Sequence, residues 1–387
     1  MNKFTFTYPT KVYFGEGIAQ EALSQELSKV GKTVMLAYGG GSLKKSGVYD
    51  QLKDLLLQAG KEVVDFSGIM PNPTYAKVQE GAKLAKERHV DFILAAGGGS
   101  VIDCCKVISA QAMTEEDIWN MEYTAGKFPA AGISMGAVVT ASGTGAEMNS
   151  GAVITYEEKL WKGPIVGTAA SFAVLDPAYT ATVPAMQVLS GAFDTLSHAL
   201  ETYLGNSDKD NVSDDVALAV MRNTVVNMRR LLTDVNDMQA RGNLMWDSAM
   251  AENGILKVGR LTDFQVHQIE HQLGAYTDCN HGQGLAVIHP AYYRHLYKSA
   301  VPKFAKFART VWGISEADDE KAAQAGIQTL AGFIQECSLP TKLLQLRSKT
   351  EITPELLRQV ADSTNLLPNG YKLFTHDEIY EILMECI

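Results

Sequence analysis

Cysteine is scarce and badly placed for cross-linking. The 387 residues hold five (Cys104, Cys105, Cys279, Cys337 and Cys386), an odd number at irregular spacing. That fits reduced thiols in a cytoplasmic protein better than a disulfide framework. Cys104 and Cys105 are adjacent, and neither belongs to a Cys-x-x-Cys metal spacing. No run of about 18 apolar residues occurs, so no membrane-spanning helix is expected. No basic-then-apolar leader is evident at the amino terminus, so no signal peptide is expected. Positive charge is also short: 34 Lys and Arg stand against 44 Asp and Glu, a formal net charge of −10. Nucleic acid and anionic membrane are therefore poor candidates for the main partner. Long repeats, linkers and low-complexity tracts are missing too.

What is present suits an ordinary two-domain globular chain, with 46% hydrophobic residues. The first half alternates apolar runs with helical stretches. "KTVMLAYGGGS", "KEVVDFSGI", "VDFILAAGGGS", "GISMGAVVT" and "SFAVLDP" read as strands. "VYDQLKDLLLQAG", "TYAKVQEGAKLAKERH" and "VIDCCKVISAQA" read as helices between them. That rhythm predicts a mostly parallel sheet covered by helices. "FTFTYPTKVYFG" alternates apolar and polar residues and predicts an antiparallel pair. Beyond about Pro184 the spacing is helical and convincing strands vanish. The expected class is α/β followed by all-α: a dinucleotide-binding domain over residues 1–184 and an all-helical metal-binding domain over 185–387.

Two turns share the form strand, GGGS, helix: Gly39, Gly40, Gly41, Ser42 and Gly97, Gly98, Gly99, Ser100. Glycine lets backbone approach a phosphate, and a following helix presents free N–H groups and a positive dipole end. Ser100 is placed to cap its helix, with Asp103 three residues on as in a capping box. Neither turn is GxGxxG, so that fingerprint gives no support; the plainer alternative is two tight turns without a ligand. The first turn offers a hydroxyl and then Lys44 and Lys45, with no carboxylate to accept a ribose 2′-OH. That suits a 2′-phosphate, so NADP(H) is preferred and NAD(H) is the lesser choice, unless the lysines are only a solvated helix face. A further segment, "TASGTGAEMNSGAVI", supplies hydroxyls on Thr140, Ser142 and Thr144, either for phosphate or ribose or as a polar surface loop.

Eight histidines serve the whole chain, and three of them crowd into "HQIEHQLGAYTDCNHG" as His267, His271 and His281. Asp194 and His198 lie four apart in "FDTLSHAL", on one face of a helix, and His267 and His271 repeat that spacing. His281 falls in "NHGQG", where the glycines suggest a turn. One carboxylate and several imidazoles suit a divalent first-row metal, zinc or ferrous iron. Asp194 sits among apolar residues, where an unpaired carboxylate is costly to bury. His289 and His295 lack a partner at this spacing and read as structural.

With these residues the whole chain resembles the iron-containing (group III) alcohol dehydrogenase family, and most closely its NADP-dependent butanol dehydrogenase and broad aldehyde reductase branch. The resemblance runs through "KVYFGEG", "PNPTY", "GGGSVID", "DPAYT" and "GAFDTLSHALE" to "HQIEHQLGAYTDCNHGQGLAVIHP". It implies a dehydroquinate synthase-like architecture of an α/β dinucleotide-binding domain and a helical metal domain. It places the family's metal ligands on Asp194, His198, His267 and His281, and its active-site histidine on His271. Its pyrophosphate turn falls on Gly98, Gly99 and Ser100, followed by Asp103. Other cofactor positions fall on Asn72, Thr140, Thr144 and Lys162. Members that use NAD carry an aspartate where this chain has Gly40. Ala141 replaces a threonine of some relatives, and a hydroxyl contact is lost there. Members differ between iron and zinc, and many are homodimers.

The chemistry expected is hydride transfer between NADP(H) and a small primary alcohol or aldehyde, with a divalent cation polarising the substrate oxygen and His271 relaying the proton. A dehydroquinate synthase-like cyclase would need many basic residues for a phosphorylated polyanion, whereas "FDTLSHALETYL" and "GLAVIHPAYY" are apolar and aromatic. A glycerol or diol dehydrogenase is the nearest alternative among dehydrogenases. A non-enzymatic metal or nucleotide binder is the alternative outside them.

Overall fold

A computed structural model describes residues 3–206 and 210–387. The described residues form two compact units: Thr7–Val183, and Pro184–Ile387 together with residues 3–6.

The first unit contains β1 (Lys11–Phe14), α1 (Ile18–Glu26), β2 (Thr33–Tyr38), α2 (Ser42–Lys45), α3 (Val48–Gln58) and β3 (Glu62–Phe66). It continues with α4 (Tyr75–Glu87), β4 (Phe92–Gly97), α5 (Gly99–Gln111), α6 (Ile118–Tyr123), β5 (Ser134–Val139), β6 (Gly151–Tyr156), β7 (Trp161–Val166) and β8 (Phe172–Leu175). Six strands make one sheet in the order β1-β8-β5-β4-β2-β3, and every pairing in it is parallel. Strands β4 and β8 are buried along their whole length, because helices cover a parallel sheet on both faces. This is why they read in sequence as unbroken apolar runs.

The amino-terminal expectation is corrected. β1 is a parallel edge strand paired to β8, with Lys11 opposite Phe172, and residues 3–10 form no strand. The alternation is that of a half-exposed edge, and its partner lies far along the chain. β6 and β7 form a separate antiparallel hairpin in a stretch whose glycines and Pro164 disguise the strands. Leu160 takes a left-handed conformation (φ 47°) to close it.

From β2 the chain crosses to β3 on one side and returns to β4 on the other. The carboxyl ends of β2 and β4 are therefore neighbours at a topological switch point, where open α/β sheets bind their ligands. Both glycine turns lie there.

The second unit is helical: α7 (Ala185–Tyr203), α8 (Val212–Thr233), α9 (Met238–Glu252), α10 (Gln265–Thr277), α11 (His281–Leu296), α12 (Val301–Val311), α13 (Asp319–Glu336), α14 (Pro354–Ser363) and α15 (His376–Glu385). Among the described residues it has no strand, only an isolated bridge between Gly205 and Gly370. Helix α7 is buried almost all round from Leu189 to Tyr203, as a central core helix must be. It packs with α8, α10 and α11 around Phe193, Leu196, Leu285 and Tyr292. Among the described residues no helix is long and apolar enough to cross a membrane.

Candidate active site

In the first unit the two glycine turns differ. After β2, Gly39 is pinned: its carbonyl accepts from Gly68 N at 2.9 Å, and a Cβ there would stand 3.1 Å from the Ile69 carbonyl. Gly40 is exposed, and a Cβ added to it would meet nothing within 4 Å. Gly41 and Ser42 lead into α2, which is a single turn that ends before Gly47, so little dipole stands behind this turn. The Lys44 ammonium lies over the Tyr49 ring at 4.7 Å and the Tyr38 ring at 5.3 Å.

After β4 the second turn feeds a full helix. The expected cap does not form: Gly98 is the N-cap without a side-chain bond, and Ser100 is already inside α5. Asp103 is held instead by the fold, its carboxylate accepting from Val153 N at 2.9 Å and pairing with buried Lys106 at 3.2 Å. The Gly97 carbonyl accepts from Thr140 N at 2.9 Å, and a Cβ on Gly99 would run into Thr144. Glycine is needed there so that the "TASGT" segment, at the end of β5, can lie against the turn. Gly98, Gly99, Ser100, Thr140 and Thr144 are thus brought together. Asn72 sits between two prolines in a left-handed conformation (φ 52°). The following Pro73 carbonyl accepts from Thr155 N, and Thr155 is the cross-strand neighbour of buried Lys162.

The second unit gathers the acid and the histidines. Asp194 and His198 project from one face of α7, His267 and His271 from α10, and His281 opens α11. The turn expected at His281 is a helix start, capped by the Asn280 side chain accepting from Gln283 N. Its glycines serve packing. A Cβ on Gly282 would collide with the Ser190 carbonyl of α7, and one on Gly284 would stand 2.9 Å from Glu270 Cγ of α10. Without side chains, the first turn of α11 fits between the other two helices.

Asp194 Oδ1 is the common point. His198 Nδ1 lies 3.4 Å from it, His281 Nε2 3.5 Å and His267 Nε2 3.6 Å. Asp194, His267 and His281 each place a ligand atom within 4.8 Å of the others. His198 joins through Asp194 and through its ring, 4.5 Å from that of His267. Asp194 Oδ1, His198 Nδ1 and His267 Nε2 are buried and make no hydrogen bond among the described residues. Such groups are costly to leave unsatisfied. Tetrahedral ligands at ordinary zinc distances stand about 3.4 Å apart, so Asp194, His267 and His281 fit a divalent cation, with His198 Nδ1 beside their shared oxygen.

The electrostatics agree. Burial works against the Asp194 charge, but His198, His281 and His267 outweigh it and hold the carboxyl below its usual range. Burial also lowers His198. It opposes charge on His267, yet the Glu201 and Asp194 carboxylates push that imidazole up to about 10. Protons and a cation compete for such groups.

His271 stands just outside the cluster, its ring stacked on His281 at 5.5 Å and edge-on to His267 at 5.9 Å. His289 and His295 lie in other bonds: His289 Nε2 with Ser197 Oγ at 2.6 Å, and His295 Nε2 with Glu385 at 2.6 Å. Sequence reasoning passed over Glu201 and Glu270. Glu201 contacts His267 Nδ1, and Glu270 contacts His281 Nδ1. The available signal for Glu201 was its place three residues after His198 on an otherwise apolar helix.

Comparison with known proteins covers nearly the whole chain. Residues 9–177 match the family described as "Iron-containing alcohol dehydrogenase", and residues 188–387 match "Fe-containing alcohol dehydrogenase family, C-terminal". The chain is 35% identical to the probable NADH-dependent butanol dehydrogenase 1 of Bacillus subtilis, over 99% of both chains. It is 34% identical to an NADPH-dependent aldehyde reductase of Escherichia coli, over 94% of both. Its structure is similar to that of NADH-dependent butanol dehydrogenase A from Thermotoga maritima, with a TM-score of 0.93 and 33% identity over 100% of this chain and 99% of that one. On its sequence and fold together, the chain belongs to the iron-containing alcohol dehydrogenase family.

Proposed function

We propose that this chain is an alcohol dehydrogenase and aldehyde reductase that moves hydride between NADP(H) and a small primary alcohol or aldehyde of the butanol/butanal type. Asp194, His198, His267 and His281 hold one divalent cation, ferrous iron or zinc. When bound, the cation supplies a Lewis acid for the substrate oxygen and the nicotinamide supplies or accepts the hydride.

The observation that carries this reading is the convergence of three histidine nitrogens, 3.4–3.6 Å away, on one buried carboxylate oxygen. Asp194 contributes negative charge at a buried position. His271, one turn beyond His267 and stacked on His281, holds the proton that the substrate oxygen gains or loses. Gly98, Gly99 and Ser100 at the start of α5, with Thr140 and Thr144 beside them, would hold the pyrophosphate. Asn72 and Lys162, joined through the hairpin, would contact the remainder of the cofactor. The preference for NADP(H) over NAD(H) is supported by the open, side-chain-free Gly40 beside Ser42 and Lys45. Relatives of both preferences exist, since their names include NADH-dependent and NADPH-dependent enzymes.

The test compares wild type, His267→Ala and His271→Ala, reconstituted with Fe²⁺ or Zn²⁺, for bound metal and for butanal-dependent oxidation of NADPH and NADH. His267→Ala is expected to lose both metal and turnover. His271→Ala is expected to keep the metal and to lose roughly 10²-fold or more in kcat. Full metal loading of both variants contradicts the ligand assignment.

A further inference from the structure

We infer that Glu201 and Glu270 are positioning residues that set the metal-binding tautomer of His267 and His281. The inference rests on the metal reading above and adds the groups behind the ligands.

Both carboxylates are fully buried, and buried acids are tolerated only where they are paired. Glu201 lies on α7, one turn past His198. Its Oε1 accepts from Val266 N at 2.6 Å, and its Oε2 meets His267 Nδ1. With both oxygens engaged, the carboxylate is held against α10. Glu270 lies on α10 between His267 and His271. Its Oε2 meets His281 Nδ1, and its Oε1 accepts from the Cys279 thiol at 3.8 Å. The closeness of Gly284 keeps it in place.

A neutral imidazole carries one N–H, and an ionised carboxylate can only accept. Each glutamate therefore draws the proton of its histidine to Nδ1 and leaves Nε2 as a lone-pair donor. The two Nε2 atoms are the ones that stand 3.6 and 3.5 Å from Asp194 Oδ1. Carboxylates behind histidine ligands also raise ligand basicity. The same geometry accounts for a second cluster, Glu270, His271 and His281, whose ligand atoms lie within 4.8 Å of one another. There the Glu270 oxygen is bonded to the far nitrogen of His281, so it supports the first ion and does not bind another.

The experiment uses full-length Glu201→Gln and Glu270→Gln. Glutamine keeps the shape but presents an amide that donates as well as accepts, so the tautomer is no longer imposed. Each protein is stripped, titrated with Co²⁺ or Zn²⁺ against a chromophoric chelator, and examined by the visible spectrum of its Co²⁺ form. The expected result is metal affinity about 10–100-fold weaker and shifted Co²⁺ bands, in variants whose stripped form still unfolds cooperatively. A packing role alone would be rescued by glutamine, so variants with wild-type affinity and spectrum overturn the inference. A variant that fails to fold is replaced by a measurement on wild type: ¹⁵N-histidine NMR of the Zn²⁺ form. There His267 and His281 are expected as Nδ1–H tautomers, and the opposite tautomer overturns the inference. Wild-type protein that takes up no Co²⁺ overturns the metal reading and this inference with it. Normal wild-type uptake with unaltered variants overturns this inference alone.

Discussion

On the proposed reading, single residues decide the cofactor and the cation. Gly39 and Gly40 are neighbours with opposite reasons for lacking a side chain. Gly39 has the Ile69 carbonyl against it, whereas Gly40 has open space and no left-handed φ, so folding makes no demand for glycine there. On the proposed reading its bareness leaves room for the cofactor. Gly40→Asp should shift the NADPH-to-NADH ratio of kcat/KM toward NADH by roughly fivefold or more, since like charges about 4 Å apart near a surface repel by ~1–4 kcal/mol. The melting temperature should hold. An unchanged ratio in steady-state assays with both cofactors contradicts the NADP(H) preference. The same scale shows what sequence could disclose. Asp194 and His198 were visible because two ligating types stood four apart on an apolar helix. Glu201 and Glu270 were not, because a glutamate in a helix usually faces solvent, and only the fold reveals that these two face histidines.

Elements were legible where burial is one-sided in sequence terms. Parallel strands covered on both faces appear as apolar runs, which is why β2, β4, β5 and β8 stood out. β1 misled because an edge strand alternates like a hairpin arm, and its parallel partner lies some 160 residues away. The hairpin β6–β7 was hidden by Gly163 and Pro164 inside β7. The first turn of α11 was misread for a related reason: glycines usually end regular structure, but Gly282 and Gly284 begin a helix that must come close to two others. That close approach is testable. In an unencumbered helix, Gly→Ala gains up to about 1 kcal/mol. At Gly282 the Ser190 carbonyl occupies the place of the methyl group. Gly282→Ala should therefore destabilise by roughly 1–3 kcal/mol, the cost of overpacking. It should also push His281 away from Asp194. Calorimetry should show a lower melting temperature, and chelator competition a weaker metal site. A variant as stable and as tightly metal-binding as wild type would remove the packing argument.

At the scale of the whole molecule, the chain is acidic and buries several carboxylates whose titration opposes that of others. Burial lifts Glu147 to about 7, Asp263 to about 7 and Asp247 to about 6. In contrast, Asp194, Glu201 and Glu252 are held low by histidines and Lys257 despite their burial. The raised group lies closer to neutral pH and should govern stability there. Glu147 is the cleanest member, remote from the histidines in sequence and set in the first unit, where burial outweighs the favourable field of Lys106 and Asp103 adds repulsion. Its folded pKa exceeds the unfolded value near 4.5, so the folded state binds the extra proton between those limits. Stability from this group is fully present below about pH 4.5 and is lost as pH rises through about 7. A shift of that size corresponds to roughly 3 kcal/mol. Glu147→Gln keeps the shape without the charge. It should melt close to wild type at pH 5 and above it at pH 8, where the gain grows with pH and then levels off. Thermal melts of both proteins across that range check the sign, and a variant no more stable than wild type at pH 8 shows that Glu147 does not carry the buried proton.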